Sequence, residues 1–140
     1  MEAAIQLNLG LADPPVNSVV VVDDIAPIVD FAATTEPADG TTDPLVIYFS
    51  ESLRDFGTNN LIADNGPAGF ITSSRGVVDV NFSSTVSEDG RSVSVAPIGG
   101  NWSTGETVTV DMDTVDDAEG NQGSDNDTGD ADNTHTFTIP

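Results

Sequence analysis

The sequence has no cysteine and no lysine, a single histidine, and only three basic residues, Arg54, Arg75 and Arg91, among its 140. Each scarcity closes off a class of chemistry. Without cysteine there is no disulfide framework, no thiolate zinc site and no thiol nucleophile. Three arginines stand against 24 acids, so the formal charge is −21. A surface so acidic repels phosphates, which argues against nucleic acid and anionic membrane surfaces as partners. No apolar run approaches the roughly 18–20 residues of a membrane span, so no membrane insertion is expected. No basic stretch followed by an apolar one opens the chain, so no signal peptide is read in it; a removed one would leave no trace. His135 cannot build a zinc site alone and reads as an exposed strand residue. There is no Gly-x-Ser-x-Gly elbow, and the acids fall in turns and loops without an aromatic-walled cleft for sugar hydrolysis. Enzymatic activity is therefore not expected.

What is abundant points to strands and turns. Val, Ile, Thr and Phe favour pleated backbone, and Asp, Asn, Gly and Pro favour reversals. Ile5-Gln6-Leu7-Asn8-Leu9-Gly10-Leu11 alternates apolar and polar residues, a period-2 signal. Pro14-Pro15 breaks it, and Ser18–Val22 follows as a short β-branched run. From Pro27 onward the pattern becomes regular. Strands are predicted over Ile28–Ala32, Leu45–Phe49, Leu61–Ala63 with Phe70–Thr72 as a hairpin-like pair, Val78–Phe82, Arg91–Ala96, Thr107–Val110 and Thr134–Ile139. Turns fall at Glu36-Pro37-Ala38-Asp39-Gly40, Asp64-Asn65-Gly66-Pro67 and Ser87-Glu88-Asp89-Gly90. This spacing suits a sandwich. The alternation predicts a core of Ile28, Phe31, Leu45, Ile47, Phe49, Leu61, Val78, Val80, Phe82, Val93, Val95, Val108, Val110, Phe137 and Ile139, with the warning that a one-residue register error inverts a strand.

Taken in order, several short motifs resemble a bacterial immunoglobulin-like repeat of the kind found in tandem in large cell-surface adhesins and matrix proteins. They are Asp24-Ile25-Ala26-Pro27, Glu36–Gly40, Ile47-Tyr48-Phe49-Ser50-Glu51-Ser52-Leu53, Ser87–Arg91, Gly105–Val110 and Asp117-Ala118-Glu119-Gly120-Asn121. The resemblance covers residues 23–139. It implies an all-β, immunoglobulin-like antiparallel β-sandwich of seven to eight strands over residues 24–140. It further implies a non-catalytic structural or adhesion module, secreted or at the cell surface, with neighbouring repeats or copies of itself as partners. Residues 1–22 fall outside it, and ahead of the sandwich residues 1–23 are either an extended arm or the remnant of a preceding repeat.

The long segment between Val110 and Asn133 breaks the strand rhythm and holds nine acids and no base. Structureless loops of this length are often functional. Calcium takes six to eight oxygen ligands from carboxylates, carbonyls and waters, and the loop offers two groups: Asp116, Asp117, Glu119 and Asn121, then Asp125, Asp127, Asp130 and Asp132. This is not an EF-hand, because the glycine is misplaced and the twelfth-position Glu is missing. The bland alternative is a solvated acidic loop suited to high salt, where self-repulsion is screened. In an immunoglobulin-like sandwich the start of the first strand shares a pole with the loop before the last strand. That would bring Asp23 and Asp24 to Asp116–Asn121, where a shared calcium would stiffen the junction with a preceding module. Trp102 is the candidate ligand-binding aromatic for surface glycans, against the alternative that it caps the core. Three triplets, beginning at Asn81, Asn101 and Asn126, match the glycosylation acceptor pattern. Two further readings stand beside the repeat module: a filament subunit joined by donation of an N-terminal strand, and a carbohydrate-binding module using Trp102.

Overall fold

The structure, a computed structural model, describes residues 22–38, 40–129 and 131–140. The alternating arm Ile5–Leu11, the run Ser18–Val21, Asp39 of the first turn and Asp130 of the acidic loop lie outside the described residues. The chain is all-β with antiparallel sheets. Among the described residues there are nine strands: β1 (Val29–Thr35), β2 (Leu45–Phe49), β3 (Arg54–Asp55), β4 (Ile71–Ser73), β5 (Phe82–Val86), β6 (Ser92–Pro97), β7 (Thr107–Asp111), β8 (Val115–Asp116) and β9 (Thr134–Thr138). A 3₁₀ turn, Met112–Thr114, joins β7 to β8. No helix among these residues is long and apolar enough to cross a membrane.

The alternation selects the register. In β2 and β6, Leu45 lies opposite Val95 and Ile47 opposite Val93, and all four are buried. In β7 and β9, Val108 lies opposite Phe137. A four-stranded sheet of order β1-β2-β6-β5 and a three-stranded sheet of order β4-β7-β9 enclose one core in a sandwich-like arrangement, and β3 and β8 form a small separate pair. Burying a Leu, Ile, Val or Phe side chain contributes about 1.5–3 kcal/mol, so these facing residues supply the main driving force.

Several expectations change in the folded chain. Phe31, Leu61 and Val80 are exposed, and Ile28 and Val78 only half-buried. Beside Leu61 the buried residue is Ile62, a one-residue slip of the kind a short apolar run cannot resolve. The strand predicted over Val78–Phe82 is mostly a turn, because Asp79 adopts a left-handed φ of 63° and its N–H donates back to the Phe82 carbonyl (2.7 Å); β5 starts only at Phe82. The hairpin predicted between Leu61–Ala63 and Phe70–Thr72 does not form. Ile71–Ser73 pairs instead with β7, and Leu61 makes only a bridge to Arg54. Trp102, Met112, Val115 and Leu53 join the core from connections or short elements where no period marks them, and Phe70 joins it from just before β4.

The strands run between two poles. At one, Asn121 Nδ2 donates to the Asp23 carbonyl (2.9 Å), Ser124 N to the Pro27 carbonyl (2.9 Å) and Ser50 N to the Ile28 carbonyl (2.9 Å). At the other, Gly40 N donates to the Trp102 carbonyl (3.2 Å), Gly105 N to the Ile139 carbonyl (2.9 Å) and Thr104 Oγ1 to the Pro140 carbonyl (3.2 Å). Asp23 and Pro140 therefore sit at opposite ends of the sandwich.

Candidate metal centre

At the Asp23 pole the tight turn after β8 organises a carboxylate. Asp117 has no solvent exposure. Its Oδ1 accepts from the backbone N–H groups of Glu119 and Asn121 (both 2.8 Å), and its Oδ2 accepts from Asn121 Nδ2 (2.6 Å). Gly120, at φ 91°, provides the left-handed residue that closes this loop, and its N–H returns to the Asp117 carbonyl (3.3 Å). Burial pushes the Asp117 carboxyl up, but the bonds from Asn121, Glu119 and Gly120 outweigh it and hold it below the ordinary carboxylate range. Asn121 also grips the Asp23 carbonyl, which ties the start of the described chain to this loop.

The result is a convergence of charge. One oxygen from each of Asp23, Asp117 and Glu119 lies within 4.8 Å of the other two. Glu51, which the sequence marks only as part of a strand-and-turn motif, feels their charge. Burial raises its carboxyl above the ordinary value, and the charges of Asp23, Asp117 and Glu119 raise it further against the weaker pull of Arg91. Among the described residues the ion pairs are Arg75–Glu106 and His135–Asp127, so no cation side chain pairs with the cluster. Two oxygens bound to one calcium at about 2.3–2.6 Å are at most about 5 Å apart, and each pair of the triad lies within that limit. Asp117 has two carboxylate oxygens with about four acceptor positions. Three are taken by N–H donors, leaving one of Oδ2 for a cation.

The remaining candidates are placed differently. Asp24 is exposed and is not in the cluster. Asp116 faces Arg54 across the β3–β8 pair; burial and the neighbouring Asp117 charge raise its carboxyl, and its Oδ1 is buried without a hydrogen-bond partner. Asp125 is likewise buried, with Oδ1 accepting from Asp127 N (3.0 Å) and Oδ2 unpartnered. Asp127 bonds Gly129 N (2.9 Å) and His135 Nδ1 (3.1 Å). Asp132 accepts from Thr134 N (2.9 Å) and Thr134 Oγ1 (2.8 Å), which caps the start of β9. Among the described residues, the segment 125–132 brings no three carboxylates together. His135 is half-buried, wedged against Phe31 and Phe137 with ring centroids 4.7 Å away in each case.

Trp102 is 1% exposed. Its Nε1 donates to the Asp43 carbonyl (2.8 Å), and the Arg75 guanidinium lies 5.6 Å above its ring. Arg75 is itself held by Glu106 (2.8 Å) and by the carbonyls of Asn81 (3.0 Å) and Asn101 (3.1 Å). A ring enclosed in this way has no free face for a sugar, so Trp102 caps the core. No family model matches the sequence, and no curated protein or solved structure shows significant similarity to it. The geometry of the Asp23 pole is thus the main guide to function.

Proposed function

We propose that the chain is a non-catalytic extracellular module with an immunoglobulin-like sandwich, a calcium-stabilised structural or adhesive repeat of a secreted or cell-surface protein. The observation that carries the reading is the meeting of Asp23 with Asp117 and Glu119, carboxylates from two segments remote in sequence that have no basic partner among the described residues. Asp23, Glu119 and the free position on Asp117 would hold the ion, with Glu51 feeling their charge. Calcium bound there would neutralise the pole where the preceding chain joins the sandwich and fix that joint. The placement of Asp23 and Pro140 at opposite ends supports the same reading, since modules linked in this manner stack head to tail.

Thermal unfolding followed by circular dichroism tests it, with EDTA, millimolar CaCl₂, and MgCl₂ or NaCl at matched ionic strength. A ligand bound only by the folded state stabilises by about 2.7 kcal/mol at a hundredfold excess over Kd. A calcium-selective rise in Tm that disappears in Asp23→Asn/Glu119→Gln is the expected result. An equal rise with every salt means charge screening and removes the metal site.

A further inference from the structure

Four strand edges end the two sheets, and they are not equivalent. The outer edge of β5 is covered: Asn65 N donates to the Ser84 carbonyl (2.9 Å) and Val86 N to Asp64 Oδ1 (2.8 Å). β4 is only three residues long. β1 is blunted by a bulge, in which Phe31–Thr34 stand opposite Ile47 alone; Thr34 Oγ1 donates to the Asp30 carbonyl (2.8 Å) and accepts from Tyr48 N (3.3 Å). Bulges of this kind protect an edge from pairing. β9 has no such protection. Its five residues pair with β7 in unbroken register, and among the described residues no backbone–backbone hydrogen bond joins Thr134–Thr138 to any other strand. It carries no proline and no charged residue other than His135 when protonated.

Beside this edge lies uncovered apolar surface. The β1 bulge turns Phe31 toward β9, where its ring stands 4.7 Å from His135 and 6.2 Å from Phe137, yet it remains 38% exposed. A groove of about 380 Å³ opens alongside, lined by the apolar Ile28, Val29, Phe31 and Ala32 together with Asp30, Ser50 and Asn126. We propose that the β9 edge receives the segment Ile5–Leu11 of a second copy of this chain as an added strand. Its alternation matches the site: Ile5, Leu7, Leu9 and Leu11 would cover Phe31 and the groove, and Gln6 and Asn8 would face solvent beside Thr136. Its seven residues are enough for the five of β9.

The donor is a neighbour because of where the chain enters and what precedes that point. Val22 is 72% exposed at the Asp23 pole. Between Leu11 and Asp23 there are two adjacent prolines and five valines but no glycine, a composition that favours extended backbone over the reversal an intramolecular strand needs. Those eleven residues span at most about 36–40 Å, enough to pass from one copy to the next. Since Pro140 marks the opposite pole, an arm arriving from the next copy enters there and lies parallel to β9. The contact is heterologous and repeats from copy to copy, so it builds a chain of subunits. It does not depend on the metal proposed for the Asp23 pole.

The lack of cysteine makes the test direct. Full-length Asn8→Cys and Thr136→Cys variants are mixed under mild oxidation at about 1 M NaCl, where repulsion between the acidic copies is screened within roughly 3 Å. A disulfide linking residue 8 of one chain to residue 136 of another, identified by peptide mass, is expected. The double variant Asn8→Cys/Thr136→Cys should yield a ladder of covalent multimers. Closure of the double variant into a monomer assigns the arm to its own sheet and overturns the proposal, as does absence of the bond in both experiments. Sedimentation velocity of the unaltered chain over a hundredfold concentration range should reach at least twice the monomer mass, and Leu7→Asp/Leu9→Asp should abolish the increase. A monomer at every concentration overturns the proposal as well.

Discussion

Asp117 keeps a buried negative charge because three N–H donors surround its carboxylate. Removing it leaves the Glu119 and Asn121 amides without their acceptor. Hydrogen bonds to charged groups contribute about 1.5–3 kcal/mol, and buried donors left unpaired are costly. Asp117→Ala is therefore expected to lose about 2–4 kcal/mol in urea unfolding measured in EDTA, so that metal plays no part. Trp102 makes the matching case in the core. Trp102→Ala should cost about 3–5 kcal/mol through the cavity it leaves. Trp102→Phe should cost about 1–2 kcal/mol, because the Asp43 carbonyl loses its donor. Both are read as a lower urea midpoint with an unchanged slope.

At the scale of elements, the reversals are written more plainly than the strands they join. Asn65 and Gly66 both adopt left-handed backbone, φ 70° and 63°, in the Asp64–Pro67 turn that the sequence marks. A side chain on Gly66 would run into the buried Phe70 ring, whereas Gly69, at φ 85°, has open space around it. Each glycine substituted by alanine suffers backbone strain of the order of 1 kcal/mol. Gly66→Ala adds overpacking of about 1–3 kcal/mol. Gly66→Ala should therefore lower Tm clearly more than Gly69→Ala, a difference that calorimetry of the two variants measures. The slip at Leu61 has a local cause. Leu61 and Ile62 are adjacent and equally apolar, so only the bridge of Leu61 to Arg54 and the bond of Ile62 N to the Leu53 carbonyl (3.2 Å) decide which points inward.

For the whole molecule, charge sets the response to pH. In EDTA the folded state holds the carboxyls of Glu51 and Asp116 above their ordinary values, by burial first and then by neighbouring acids. A group whose folded pKa is raised binds its proton more tightly when folded, so stability increases as pH falls from neutral into that raised range. The opposite holds for Asp117 and Asp89, which hydrogen bonds keep low; for Asp89 the Ser87 hydroxyl and Arg91 N–H are the leading causes. Their stabilisation is present above the unfolded carboxylate range, near pH 4, and is lost as pH falls through their folded values. Tm in EDTA is expected to pass through a maximum on the acidic side of neutral and then fall. Saturating calcium should flatten the rise between neutral pH and that maximum, because an ion on Asp23, Asp117 and Glu119 removes the repulsion that protonation otherwise relieves. A circular dichroism series from pH 7 to pH 3, with and without calcium, checks both statements.

Local chemistry was enough to specify an all-β chain, its main turns and the inward residues of β2, β6, β7 and β9, because alternation and turn composition act between near neighbours. It also marks the acids around Asp117, and the sandwich topology predicts both Asp23 and Asp24 near them, of which Asp23 alone is in the cluster. Asn121 reaches Asp23 across 98 positions, and the charge of the cluster is felt by Glu51 in a third segment; no periodicity in any one of these stretches encodes the others. Which acids meet, which merely cap a turn as Asp132 does, and which are buried as Asp125 is were decided by how the strands cross between the poles. The same holds for Trp102, Met112 and Val115: each lies in a connection or a short element, and each is buried because two sheets close over it. Strand propensity is a property of a few consecutive residues, whereas burial and charge convergence depend on surfaces that exist only after distant segments have packed.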